Sequence, residues 1–308
     1  MDSCQIPSVS YSELLYDDED IRNLAGMKLV KALDDHGACR LRDHGISQDL
    51  IDNCFGKARG FFERSLVEKV ADFSNSGAMT ASRFVPFGSE KIRDEPLLDE
   101  TIEFQYGVYE LEGTWSEPGK RLLDASRLLH EECNRIQFNL LDILSSSINL
   151  SHSLSSIHSK RNSFFAPYYY SFEGINDTNP LRVPPHIDPT TMLFNFQDSH
   201  AGLEVADLSN TTGCISATAV EKTANFIPVH CQPGEFLVLA GHVLRRLVSD
   251  IKHSVHRVKR PVGISGFHLN YWIVPDLETS CNFGEKKEDV AAYLARVFPA
   301  ALKSTIQT

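Results

Sequence analysis

Past Asn162 the chain becomes a succession of short β-rich runs broken by Gly, Pro, Asp or Asn, and this texture limits the possible folds more than any other feature. The runs are "FFAPYYYSF", "TTMLFNFQD", "AGLEV", "NFIPVH", "EFLVLAG", "SVHRV" and "FHLNYWIV". Strands this short and numerous, following a helical first half, predict a helical platform packed on a barrel or jelly-roll sheet. Apolar residues recur at helical spacing over 21–36 and again over 47–72, where Ser47 suits a helix start. A short strand, "GACRLRDHG", lies between them. Residues 75–116 read as loops and short strands. A long amphipathic helix is predicted from Gly119 to Ile148, and the terminal "EDVAAYLARVFPAAL" returns to helix. With no repeat and no linker, the chain reads as one composite domain. Its parts are an N-terminal helical and strand region (1–115), a connecting helix region (116–160), a β core (161–276) and a C-terminal helix (277–308).

One short stretch carries chemistry. In "PPHIDPT", residues 184–190, a histidine and an aspartate stand two apart in a run that reads as strand. Residues i and i+2 of a strand point the same way, so His186 and Asp188 either close on one ion or form an ordinary polar pair on an edge. A third ligand has to come from a distant strand. In "SDIKHSVHRVKRP", Asp250 begins a turn and Lys252, Ser254 and His256 alternate onto one face. Two histidines and one carboxylate with other positions open form the facial triad used for non-haem Fe(II), although zinc accepts the same set.

Composition narrows the classes of partner. A net charge of −11 repels phosphate backbones, which argues against nucleic acid. No apolar stretch is long enough to span a bilayer, and the N-terminus lacks the basic-then-apolar plan of a signal peptide. The seven cysteines are scattered and never in CxxC spacing, as expected of reduced, mostly buried thiols in a cytoplasmic protein.

Several blocks together, in order, resemble the isopenicillin N synthase-like Fe(II)/2-oxoglutarate-dependent oxygenases. They are "GACRLRDHGIS", "ARGFFERSLVEKVA", "VPFGSE", "HID", "QDSHAGLEV", "PVHCQPGEFLVLAG" and "KHSVHRV", and the resemblance runs from Ile6 to Pro275. It implies a distorted double-stranded β-helix, or jelly roll, with His186, Asp188 and His256 binding Fe(II) at its open end. It also implies 2-oxoglutarate and O₂ as co-substrates. The oxo acid would be decarboxylated to succinate while a bound small molecule is hydroxylated, desaturated or cyclised. We expect a place in specialised metabolism, with an amino-acid-derived substrate slightly favoured.

The departures from the family are as informative. An Arg-x-Ser pair on the last core strand usually grips the far carboxylate of 2-oxoglutarate. Counting from His256 and from Pro275 places that pair at Gly266 and His268, where the chain reads "GFH". Glycine supplies no charge, and a lost charged contact costs roughly 1.5–3 kcal/mol. Substitutes are Arg245, Arg246, Lys259, Arg260, Arg182 or a protonated His268, each of which also reads as an ordinary surface or packing residue. In "APYYYSF", Tyr168 stands where the family has asparagine, and Tyr170 keeps a tyrosine that often contacts the oxo acid. Both could bond a carboxylate or simply pack. The co-substrate contacts expected are therefore Tyr170, Tyr168, Arg246 and His268. His242, where Gly-Asp is usual, reads best as a satisfied buried histidine. Phe84, Phe87, Phe104, Tyr106 and Phe194 are candidates to face the substrate, or else core. Two alternatives stay open: an oxidase that uses O₂ without 2-oxoglutarate, and a non-catalytic ligand-binding member of the fold. A metal-dependent hydrolase or isomerase rests on ligand identity alone.

Overall fold

The computed structural model describes residues 5–74, 82–104, 115–172, 180–200, 202–212, 216–249, 251–283 and 286–297. The first part runs β1 (Ser8–Ser10), α1 (Tyr11–Leu14), α2 (Glu19–His36), β2 (Ala38–Arg42), α3 (Gln48–Phe62), α4 (Leu66–Ser74) and β3 (Ser82–Val85). A hairpin of β4 (Lys91–Ile92) and β5 (Glu95–Pro96), then β6 (Glu100–Phe104), lead to the long helix α5 (Glu117–Ser147). The second part holds β7 (Phe164–Tyr170), β8 (Leu181–His186), β9 (Met192–Gln197), β10 (Leu203–Ala206), α6 (Ala217–Thr223), β11 (Phe226–Pro228) and β12 (Glu235–Ala240). It ends with α7 (His242–Leu247), β13 (His256–Lys259), β14 (Gly266–Ile273), β15 (Ser280–Phe283), β16 (Lys286–Asp289) and α8 (Val290–Val297).

Two sheets face each other, in the double-stranded β-helix arrangement expected from the sequence. The large one has the order β1-β2-β12-β9-β14-β7-β6-β3, and the small one β11-β10-β13-β8. Strand alternation divides the core between their faces. Phe194, Phe196, Phe236, Leu269 and Tyr271 point from the large sheet toward α3 and α5, joining Phe61, Leu129, Ile136 and Leu140. Leu193, Leu237, Leu239 and Trp272 point the other way, toward Val183, Val205 and Val258 of the small sheet.

Local chemistry sets the element ends. The Ser116 hydroxyl accepts from Gly119 N at 3.2 Å with Pro118 in the first turn, which starts α5 within two residues of the position expected. The single helix predicted over 47–72 is two. Ser65 Oγ accepts from Glu68 N while the Glu68 carboxylate accepts from Ser65 N at 3.0 Å, a capping box that opens α4 and interrupts the run. Ser47 precedes α3 but makes no side-chain cap hydrogen bond. The cysteines at 39, 54, 133, 231 and 281 are free, and no helix among the described residues is long and apolar enough to cross a membrane.

Candidate active site

His186 is the last residue of β8 and His256 the first of β13, and the register sets them directly opposite each other. Their rings lie 4.2 Å apart, centroid to centroid. Asp188 is not on the strand, contrary to the run read from the sequence, because β8 ends at His186. The carboxylate comes from the loop beyond, as do Lys252 and Ser254, which precede β13 rather than alternate along it. The Asp188 loop is held by three backbone bonds: His242 N to Asp188 O at 2.8 Å, Val243 N to Thr190 O at 3.1 Å, and Gly241 N to Thr191 O at 2.9 Å. Only glycine permits this approach, since a Cβ on Gly241 would stand 2.0 Å from Thr190 O. Asp250 and Tyr106 lie outside the described residues.

The three side chains converge. His186 Nε2 is 3.6 Å from Asp188 Oδ1, and His256 Nε2 is 3.7 Å from Asp188 Oδ2. One atom from each lies within 4.8 Å of the others, close enough for a single ion to touch all three. His186 Nδ1 lies 2.9 Å from Pro184 O. A carbonyl only accepts, so Nδ1 carries the proton and Nε2 turns its lone pair to the cluster. Burial, together with His186 alongside, lowers His256 to about 4, so its imidazole is neutral and fit to ligate. Burial would raise the Asp188 carboxyl, but the adjoining imidazoles outweigh it and hold it below its ordinary value. Both carboxylate oxygens are nevertheless buried without a hydrogen-bond partner. A buried ionised carboxylate left so costs several kcal/mol, and a divalent cation removes that cost. Two neutral imidazoles and one carboxylate are the donor set that suits Fe(II).

The triad opens into a cavity of about 690 Å³ between the sheets. Its walls are mostly apolar, with Leu193, Val183, Leu203, Leu239, Val258 and Trp272 contributing. A group of polar side chains comes from neighbouring strands of the large sheet: Tyr168 and Tyr170 of β7, His268 and Asn270 of β14, Asn195 of β9, and Asp99 ahead of β6. Tyr170 faces Gly266 and Tyr168 faces His268 in the β7–β14 register. Thus a tyrosine stands beside the place the arginine would occupy. The Tyr170 hydroxyl lies 3.3 Å from His268 Nδ1, and His268 Nε2 is buried with no partner. Burial lowers His268 to about 3, so it is a neutral donor and acceptor rather than the cation considered as one substitute.

The other candidate substitutes do not line the cavity. The Arg182 guanidinium donates to Ser171 O. Lys259 pairs with Glu204 at 2.9 Å, and Arg260 donates to Phe172 O at 2.9 Å. Arg245 sits half-buried in the last turn of α7. Arg246 stands one residue back: its Nε donates to His242 Nε2 at 3.1 Å, which leaves His242 Nδ1 to donate to the Tyr293 hydroxyl at 2.6 Å. His242 and Tyr293 both line the cavity, so His242 is hydrogen-bonded as expected but not confined to the core. The cations that do line it among the described residues are Lys91 and Arg93. Arg93 is engaged with Pro185 O at 2.8 Å and Thr218 Oγ1 at 2.7 Å.

None of the four described phenylalanines expected to face substrate does so. Because Leu193 and Asn195 line the cavity, alternation turns Phe194 to the helix side, against Phe236 at 4.9 Å. Phe104 packs on Trp115, Phe84 on Phe61 and Phe73, and Phe87 lies 6.0 Å from Arg182. Asp99, Asn195, Asn270, Arg93 and Tyr293 also line the cavity, and no sequence motif singles them out. Asp99 has one legible signal, an acid directly following the apolar pair in "PLLDE".

The fold and the converging triad define the class of the mononuclear non-haem metal oxygenases. The chain matches the N-terminal model described as "non-haem dioxygenase in morphine synthesis" over residues 6–118, and the "2OG-Fe(II) oxygenase superfamily" model over residues 161–275. It belongs to the 2OG-Fe(II) oxygenase superfamily, and Fe(II) and 2-oxoglutarate are its cofactors. Among curated proteins, it is 25% identical to the 2-oxoglutarate-dependent dioxygenase frbA of Dothideomycetidae sp. (strain 11243), over 92% of this chain and 86% of that protein. It is 23% identical to the proline hydroxylase buaE of Petromyces alliaceus, over 93% and 89%. The crystal structure of a full-length Neurospora crassa protein in complex with alpha-KG superposes with a TM-score of 0.78 at 17% identity, covering 97% of each chain. The dioxygenase for auxin oxidation of rice superposes with a TM-score of 0.70 at 16% identity, over 94% of this chain and 93% of that one. The protein is thus an Fe(II)-dependent dioxygenase acting on small molecules. Neither the oxidase nor the ligand-binding alternative is favoured.

Proposed function

We propose that the protein inserts oxygen into, or removes hydrogen from, an unactivated C–H position of a small and largely apolar molecule, in cytoplasmic specialised metabolism. The observation that carries this reading is the Asp188 carboxylate, buried with both oxygens unpartnered between two imidazoles at the wall of an apolar cavity. His186, Asp188 and His256 would hold the iron. His268, Tyr168 and Tyr170 would receive the far carboxylate of 2-oxoglutarate through neutral donors, with Arg246 acting at one remove through His242. Iron and 2-oxoglutarate, when bound, supply the oxidation by O₂, with succinate and carbon dioxide as the products of the oxo acid. The protein's own contribution is to turn His186 Nε2 to the metal, to orient the oxo acid, and to exclude water from the apolar half of the cavity. Curated relatives named proline hydroxylase and flavanone 3-dioxygenase support a substrate of metabolite size, and the first supports an amino-acid-derived one.

The test is succinate formation from 2-oxoglutarate by the Fe(II)-loaded enzyme in air, followed by mass spectrometry across a panel of amino-acid-derived and polycyclic compounds. We expect slow succinate release without substrate, faster release with a member of the panel, and none from His186→Ala. Iron-loaded enzyme that never converts 2-oxoglutarate would contradict the proposal.

A further inference from the structure

Gly266 supplies no guanidinium where the family places one, and the cross-strand row that runs from it through Tyr170 continues to an acid. β6, β7 and β14 lie side by side, with Glu100 opposite Tyr169 and Tyr170 opposite Gly266. Asp99, one residue ahead of Glu100, therefore continues the row on the far side of Tyr170 from Gly266. The backbone bond from Leu98 N to Arg182 O at 2.9 Å anchors this segment. Asp99 lines the cavity and is 3% exposed. Two neighbouring cations are already engaged: Lys69 of α4 with Glu100 at 2.5 Å, and Arg83 of β3 with Glu103 at 2.5 Å and with Glu90 at 2.7 Å. Burial, with Glu90 and Glu100 alongside, raises the Asp99 carboxyl to about 8. At neutral pH it is a carboxylic acid, which brings one O–H donor to the cavity.

We propose that Asp99 completes the seat for the far carboxylate of 2-oxoglutarate together with Tyr170 and His268, donating from the far side of Tyr170 a hydrogen bond that stands in for the missing arginine's. The inference rests on the co-substrate seat put forward under Proposed function and adds a residue from outside the β core to it. It has a consequence that a guanidinium would not have. An ionised Asp99 beside a bound carboxylate is a like-charge pair, so ionisation of Asp99 and binding of the oxo acid exclude each other. Affinity for 2-oxoglutarate then falls as pH rises past the titration of Asp99, and the bound oxo acid shifts that titration upward.

The groups facing Asp99 leave the sign of this dependence unambiguous. Glu90 precedes the β4–β5 hairpin and is paired with Arg83; Glu100 of β6 is paired with Lys69 of α4. Arg182 lies behind Leu98 on β8, and Lys91 and Arg93 line the cavity from the hairpin. Tyr168 and Tyr170 are raised well above their ordinary values by burial, and His268 and His256 are lowered to about 3 and about 4. None of these last four changes charge between about pH 6.5 and 9.5, the interval in which Asp99 does.

The experiment is an anaerobic titration of the Fe(II)-loaded enzyme with 2-oxoglutarate, read by the visible absorption of the complex, at steps from about pH 6.5 to 9.5. For the wild type we expect a constant Kd up to about pH 8 and a rise approaching tenfold per unit beyond it. Asp99→Asn keeps the shape and a donor, and should bind within about threefold of the low-pH wild type at every pH. Asp99→Ala should bind at least about tenfold more weakly and show no pH dependence. A wild-type rise retained in Asp99→Asn, or wild-type affinity in Asp99→Ala at about pH 6.5, overturns the proposal. His268→Ala separates this failure from that of the seat itself. Weakened binding in His268→Ala with unchanged Asp99 variants removes Asp99 alone, whereas unchanged binding in both sets of variants removes the seat and the inference with it.

Discussion

Asp188→Asn tests the metal site through stability, independently of any substrate. The wild-type protein carries a carboxylate with both oxygens buried and unpartnered, facing two imidazole nitrogens at 3.6 and 3.7 Å. A cation bound only by the folded state stabilises it by about 2.7 kcal/mol at a free concentration of one hundred times Kd. For 308 residues the unfolding entropy is about 0.65 kcal/mol/K, so that stabilisation raises Tm by about 4 °C. The amide of the variant would keep the volume and one neutral oxygen but lose the charge. Losing a charged ligand contact worth about 1.5–3 kcal/mol weakens the site about 10- to 150-fold, and the increment shrinks to about 2 °C or less. The assay is anaerobic thermal unfolding of each protein with chelator and with Fe(II). Taking the difference for each variant cancels the effect of the substitution on the metal-free protein. A full wild-type increment in Asp188→Asn would refute the reasoning.

Three further outcomes are expected. His268→Ala should raise the KM for 2-oxoglutarate about tenfold while the Fe(II)-induced rise in Tm is kept, as steady-state kinetics and unfolding will check. Asp99 has its carboxyl raised from 3.8 to about 8, so between those values the folded protein holds a proton that the unfolded chain has released. Stability is therefore fully present below the lower value and falls as pH rises through the interval, by at most about 1.4 kcal/mol per unit, and Asp99→Asn should abolish that slope in urea unfolding. Arg246→Met removes the donor to His242 Nε2 and should lower Tm by about 2–5 °C with stoichiometric Fe(II) binding retained.

The double-stranded β-helix is legible because its strands announce themselves by short apolar runs and turn residues, and the triad because His-x-Asp and a later His stand in a recognisable order. What escapes depends on pairing across the chain. Sequence alone puts Asp188 on the strand, since nothing in "PPHIDPT" reveals that the ladder to β13 stops at His186. It leaves Phe194 free to face the cavity, although only the parity of β9 against β12 and β14 decides which face it takes. Arg182 is a cation at a plausible place, but its guanidinium is taken up by Ser171 O and does not line the cavity, which no local pattern conveys. Asp99 gains its meaning from a register with β7 some seventy residues away, and from burial that raises its carboxyl. His268 is singled out by counting, while its neutral state follows from burial that no count conveys.

The central claim is that iron at His186, Asp188 and His256 chelates 2-oxoglutarate in a seat without an arginine. Its most direct test is anaerobic titration of the metal-free protein with Fe(II), with and without 2-oxoglutarate, followed by visible absorption. The account predicts one equivalent of iron and a weak charge-transfer band that appears only when the oxo acid is present, both lost in His256→Ala. Stoichiometric iron binding with no band at saturating 2-oxoglutarate would contradict it.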